Sequence, residues 1–209
     1  MAGDSPVPAP ARTLQRVLQG VILAVLLTGL ALPNVSVAVN ATLALAVTLL
    51  PALLRRDHAV HLGTGLTLWI TATVAFHALG MVLLYEAVAW WDHLTHLLSG
   101  ILIAGVGYAT VRALDEHTER IHLPPAVLGV FVVVFTLAAG VLWELFEMGG
   151  REVARAAGME PILVVYGVDD TVLDLVFDGL GGLVVALGGT AYFEETRAAI
   201  LARLDREAA

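Results

Sequence analysis

Six ionisable positions interrupt otherwise oily stretches of the chain in three pairs: Asp92 with His96, Glu144 with Glu147, and Asp174 with Asp178. A charged side chain at the centre of a bilayer costs about 3 kcal/mol on insertion scales. Each pair therefore needs an opposite partner, a metal ion or a wet cavity. Carboxylates combined with imidazole suit a divalent ion such as Mn, Fe, Zn or Mg. Such an ion can lower the pKa of water for attack on an ester or phosphoryl group. In that scheme His96, Glu144, Glu147, Asp174 and Asp178 are metal ligands, while Asp92 orients His96 or acts as general base.

The spacing supports convergence. Asp92 and His96 are four residues apart and share a helix face. A helix cap at headgroup level accounts for Asp92 alone, but not for His96, about 6 Å deeper by the helical rise. Glu144 and Glu147, three residues apart, lie on one side of their helix. Close to a helix C-terminus they oppose the macrodipole, which favours a compensating cation. The plainer alternative has Glu147 reaching the interface and Glu144 paired with an arginine such as Arg151. Asp170, Asp174 and Asp178 recur every fourth residue, a stripe descending about 12 Å along a helix. Asp169 and Asp170 are also explained as favourable charges at a helix start, whereas Asp178 is too deep for that. Gly179, Gly181 and Gly182 allow a neighbouring helix to approach closely. His77 falls at a depth similar to Asp178, either joining the cluster or acting as an interhelical hydrogen bonder. His58, His61, His117 and His122 read as interfacial residues at the other surface.

The elements carrying these residues follow from composition. Of 209 residues, 58% are hydrophobic and 14% charged, and the mean hydropathy is +0.85. These values define an all-α, polytopic membrane bundle. Six transmembrane helices are expected, at Leu14–Leu32, Val35–Leu54, Val60–Tyr85, Trp91–Leu114, Ala126–Met148 and Thr171–Phe193. Each has the roughly 20 residues that a bilayer core of about 30 Å requires. The first run has some features of a signal peptide, but another span follows almost at once across Pro33 and Asn34.

All 11 basic residues are arginine. With the N-terminus cytoplasmic, nine of them face the cytoplasm and only Arg151 and Arg155 lie outside, a clear positive-inside bias. The chain is thus expected in the cell membrane with both termini cytoplasmic and the three pairs toward the outer face. Residues 1–11 read as a disordered tail, 12–193 as the six-helix domain and 194–209 as a cytoplasmic helical tail. The outer loop Gly149 to Asp170, amphipathic around Arg151 to Ala157, is either a lid over the cluster or a surface connector. Asn34-Val-Ser36 fits a glycosylation sequon, in a turn too tight against the membrane to favour use.

The absence of cysteine excludes disulfides and thiolate metal sites, and the net charge of −8 argues against a nucleic-acid partner. The expected partners are membrane lipids and a small-molecule or lipid substrate. The arginine-only, acid-rich composition resembles that of proteins from halophilic archaea.

The motifs have a family resemblance. The chain resembles the YjdF-like family of small multi-spanning membrane proteins, whose pattern joins Asp-x3-His-x3-Gly, a Glu-x2-Glu pair and a late Asp-x3-Asp helix rich in small residues. Asp92, His96 and Gly100 fit the first motif, Glu144 and Glu147 the second, and Asp174 and Asp178 the third. A looser similarity to VanZ-like proteins rests on the same order of motifs. His93 stands where YjdF-like proteins often carry arginine, Met148 where tryptophan is common, and Val176 where glutamine is frequent. The resemblance covers about Leu62 to Phe193. It implies a shared architecture and polar centre without naming a substrate.

Three functions compete. The first is a metal-dependent hydrolase or lipid-modifying enzyme at the outer leaflet, although neither Gly-x-Ser-x-Gly nor His-Glu-x2-His occurs. The second is a cation- or proton-coupled transporter using the same acids. Against it, no inverted repeat is evident, and the acids stop partway across the bilayer. The third is a noncatalytic scaffold. Interhelical hydrogen bonds average only about 0.6 kcal/mol in one well-measured membrane protein, so six ionisable groups are a poor device for stability alone. The enzyme ranks first.

Overall fold

The computed structural model describes residues 9–58, 60–118, 120, 122–156, 158 and 167–208, which are helical apart from short connections. The elements are α1 (Ala9–Ala31), α2 (Val35–His58), α3 (Thr64–Leu79), a π-helical turn (Gly80–Leu84) running into the single turn α4 (Tyr85–Ala87), α5 (Trp91–His117), α6 (Pro125–Ala156), α7 (Val168–Leu187), a 3-10 turn (Gly189–Phe193) and α8 (Glu194–Ala208). Among the described residues, α1, α2, the continuous run Thr64–Ala87, α5 and α6 are each long and apolar enough to cross a membrane. Helix α7 qualifies only together with the segment Thr190–Ala208, as a pair bent by 83° that makes a sixth crossing where it counts as one span. The chain is therefore the all-α polytopic bundle its composition calls for, with five or six crossings.

Two interior clusters hold it together. Ile22, Val25, Val37, Ala41, Ala44, Ala75 and Ala78 pack α1, α2 and α3. Leu66, Ala104, Ala109, Val132, Val185 and Phe193 pack α3, α5, α6, α7 and the 3-10 turn. Helix α3 contributes to both and joins them. Alanine dominates the first cluster and contributes Ala104 and Ala109 to the second, because lipid is as apolar as leucine and membrane helices associate through close backbone packing. The tightest crossing is between α5 and α7. A Cβ on Gly181 would lie 2.7 Å from the Ile101 backbone nitrogen, and one on Gly100 would lie 2.9 Å from the Asp178 carbonyl oxygen. Of the glycines expected to allow close approach, Gly181 meets α5 and Gly182 faces the Val133 backbone of α6.

Several boundaries differ from the expected ones. The fifth span was expected to stop at Met148, but α6 continues to Ala156. Its last turns carry an i,i+3 pair in which Arg155 donates to Glu152 at 2.7 Å, the kind of local contact that supports a helix end. Gly149 to Ala156 is thus a continuation of α6. Residues 157 and 159–166 of the expected lid lie outside the described residues. The sixth span was expected to reach Phe193, but α7 ends at Leu187, where Gly188 and Gly189 supply the helix-stopping glycines. At the N-terminus, helix begins at Ala9, within the expected tail, and residues 1–8 are outside the description. Asn34 caps α2: its Oδ1 accepts the Val37 N–H at 3.1 Å, as an Asn N-cap does.

The arginine-bearing end is closed by α8. His117 Nδ1 lies 2.7 Å from Asp205 Oδ1, and Arg197 pairs with both Glu116 and Glu194. Arg112 pairs with Asp115 at 2.5 Å and with Glu116 at 3.0 Å. Phe193, 1% exposed, occupies the space left by the missing side chain of Gly105.

Candidate functional site

Consecutive helices alternate in direction, so the N-terminal halves of α5 and α7 and the C-terminal half of α6 meet at one end of the bundle. This is the end opposite α8. His96, on the second turn of α5, is the hub. Its Nε2 lies 3.9 Å from Asp92 Oδ1, 4.0 Å from Glu144 Oε1 and 4.0 Å from Asp174 Oδ2, and its Nδ1 lies 3.4 Å from Asp178 Oδ2. Three helices thus present four carboxylates to one imidazole. His96 and Glu144 are each 7% exposed, and Asp174 and Asp178 each 3%.

Each carboxylate is held differently. Asp178 reaches past Gly140, where a Cβ would fall 2.3 Å from its Oδ2, so the glycine on α6 makes room for the carboxylate on α7. Glu144 Oε2 accepts a hydrogen bond from the Thr171 hydroxyl at 2.9 Å. Glu144 Oε1 is buried with no hydrogen-bond partner among the described residues, and it faces the His96 imidazole. A buried carboxylate oxygen without a donor carries a desolvation cost of about 1–3 kcal/mol or more. Asp174 uses both oxygens: Oδ2 faces His96, and Oδ1 lies 3.0 Å from His93 Nδ1. The His93 ring is fixed by stacking on Phe177, with centroids 5.0 Å apart and planes within 2°.

Of the residues singled out from the sequence, Asp92, His96, Glu144, Asp174 and Asp178 come together. Glu147 is half-buried and within electrostatic reach of Glu144, His96, Asp92 and Asp174, but no hydrogen bond or ion pair ties it to them among the described residues. His77 stands one step away. Its Nδ1 lies 2.6 Å from the Tyr85 hydroxyl and its Nε2 3.5 Å from Asn40 Oδ1. The Tyr85 hydroxyl is in turn 3.5 Å from Thr95 Oγ1, which donates to the Asp92 carbonyl at 2.8 Å. The π turn makes this link, because its extra residue returns Tyr85 over Gly80, eight positions after His77. Such turns are frequent at functional sites.

His93, Thr171, Tyr85 and Thr95 were not anticipated, and Asp170 was read as the first member of the acidic stripe or as a favourable charge at the helix start, not as a ligand. For His93 a signal existed, since it is a metal-ligand type adjoining Asp92. Ligand atoms of Asp92, His96 and Asp174 all lie within 4.8 Å of one another, and so do those of His93, Asp170 and Asp174. Oxygen and imidazole donors at these separations suit a hard or borderline divalent ion.

These features belong to a polytopic membrane protein with a buried His/Asp cluster near one end of its bundle. The chain belongs to the family described as "Predicted membrane protein (DUF2238)", whose model matches residues 14–195. A protein of Thermotoga maritima, named only as an uncharacterized protein, is 31% identical over 117 residues, covering 54% of this chain and 56% of that protein. The chain therefore spans a little over half the length of this curated relative. No solved structure matches.

Proposed function

We propose that the cluster is a divalent-metal centre of a membrane-embedded, YjdF-like hydrolase or lipid-modifying enzyme. The observation that carries this reading is Glu144 Oε1, a buried carboxylate oxygen with no donor, aimed at a histidine that three further carboxylates surround. Stability alone would favour an apolar core over such an arrangement. A cation supplies the missing partner. His96, Asp92, Glu144 and Asp174 would hold it, with Asp178 setting the His96 ring through Nδ1 and Thr171 aligning Glu144. The bound ion would polarise an ester or phosphoryl oxygen and acidify water. Asp92, whose side chain is partly exposed, is placed to take a proton from that water.

The arginine distribution supports placing the cluster at the outer face of the cell membrane, with both termini cytoplasmic. A substrate presented from the outer leaflet, with a polar head and an apolar tail, fits a polar centre one to three helical turns below the surface. Elemental analysis of detergent-purified protein reconstituted with Mn, Zn or Mg tests the reading. Wild-type protein should retain a divalent ion after dialysis, and the Asp174→Asn plus Asp178→Asn double variant should lose it. A wild-type protein that retains none, or a double variant that retains as much, overturns it.

A further inference from the structure

We infer that the centre takes two divalent ions bridged by Asp174, an inference that rests on the reading of the cluster as a metal centre. The two ligand groups, Asp92 with His96 and His93 with Asp170, share Asp174 as their common member. Its carboxylate is oriented as a bridge, with Oδ2 directed to His96 and Oδ1 to His93. The residue is 3% exposed, and its backbone stands on the α7 segment pinned to α5 at the Gly100 and Gly181 crossing.

The second half is also built. His93 lies flat on Phe177, which leaves its ring position fixed by stacking and its Nδ1 facing inward. Asp170 lies one helical turn above Asp174 on the same face of α7. Independently of both groups, the unpartnered Glu144 Oε1 points at the first ion's position from α6.

Charge argues for the second ion as well. Six carboxylates, Asp92, Glu144, Glu147, Asp170, Asp174 and Asp178, surround two imidazoles. One dication offsets two of them, whereas a pair offsets four. Ions sharing a carboxylate sit about 3.5–4 Å apart, the spacing that clamps both the attacking and the leaving oxygen of an in-line displacement. Such a pair suits a phosphoester substrate, its apolar part lying in the surrounding lipid. His93 and Asp170, both partly exposed, hold the ion that meets the substrate first.

The test is a stoichiometric titration of the detergent-solubilised full chain with Mn²⁺, read by elemental analysis and by electron paramagnetic resonance. Wild-type protein should bind two ions per chain and show the spin-coupled signal of a Mn pair. His93→Ala and the near-isosteric Asp170→Asn should each bind one ion with an uncoupled signal, and Asp174→Asn should weaken both sites. Two variants on different helices guard against a simple folding defect, with helicity checked by circular dichroism. One uncoupled ion in wild type, unchanged by His93→Ala, overturns the bridged pair and leaves a single-ion centre standing. No bound ion in wild type overturns both readings.

Discussion

Adding one methyl group at Gly140 separates the packing role of the α6–α7 contact from its role in the cluster. In Gly140→Ala the new Cβ would stand 2.3 Å from Asp178 Oδ2, 3.1 Å from its Cγ and 3.1 Å from Leu175 Cδ2. The first distance is far inside contact, so the carboxylate must leave its place. Asp178 is a short side chain with two rotatable bonds, and it can yield without moving either backbone. The cost to the fold is therefore at the low end of overpacking penalties, about 1 kcal/mol. The cost to the cluster is larger. The 3.4 Å approach of Asp178 Oδ2 to His96 Nδ1 is lost, and the His96 ring keeps only its looser Nε2 contacts at 3.9–4.0 Å. Loss of an orienting partner of this type lowers metal affinity about 10–100-fold. Gly181→Ala is the control. Its Cβ meets the Ile101 backbone nitrogen at 2.7 Å, and this gap must open to an ordinary 3.4 Å by parting two helices. It should cost about 1–3 kcal/mol of stability. Mn²⁺ binding isotherms and thermal unfolding in one detergent read the two effects. Unchanged Mn²⁺ affinity in Gly140→Ala, with Asp178 still seated, would refute the assignment of that glycine as the space for the carboxylate.

Other perturbations have distinct signatures. Glu144→Gln removes the charge from the unpartnered buried oxygen, so it should raise the stability of metal-free protein by about 1–3 kcal/mol while weakening Mn²⁺ binding. A loss of metal-free stability would contradict the described environment. Thr171→Val deletes the hydroxyl that donates to Glu144 and should destabilise by about 1–3 kcal/mol, a penalty that shrinks to about 0.5–1.5 kcal/mol when Glu144→Gln is already present in a double-mutant cycle, because the glutamine oxygen accepts the same hydroxyl without charge. Tyr85→Phe strips His77 of its 2.6 Å partner and should cost about 1–2 kcal/mol with Mn²⁺ affinity nearly unchanged, because His77 stands outside the ligand groups. On α8, the hydrogen bond from Arg197 holds the Glu194 carboxyl below its ordinary range. A lowered value in the folded state contributes stability that is fully present above the ordinary glutamate range and is lost as pH falls from that range through the lower folded-state value. Amide exchange in α8 should thus rise on acidification in wild type and show a smaller acid response in Glu194→Gln.

The sequence made the three converging pairs visible because acids stand out in apolar runs and helical spacing fixes which of them share a face. Asp92, His96, Asp174 and Asp178 were legible for that reason. Glu147 was read as a ligand because three-residue spacing puts it on the side of Glu144, yet the roughly 60° between them is enough to turn it out of the bonded cluster. His93 escaped because it is about 100° around α5 from Asp92, on a flank that belongs to the cluster only once α7 is known to lie against it. The fit of Asp178 against Gly140 needs the pairing and depth of two helices, which no local pattern supplies. The π turn that carries Tyr85 back over His77 breaks the helical period, so period-based reading misplaces that residue.

Phe193 gives the cluster a sidedness. Its ring fills the notch at Gly105, nine residues and about 13 Å below His96 along α5, and α8 is strapped across the same end by His117 and Asp205. The bundle therefore has a floor. We expect the centre to exchange ions from the end away from this floor, so in vesicles with uniformly oriented protein a membrane-impermeant chelator should strip the centre from one compartment and leave it untouched from the other.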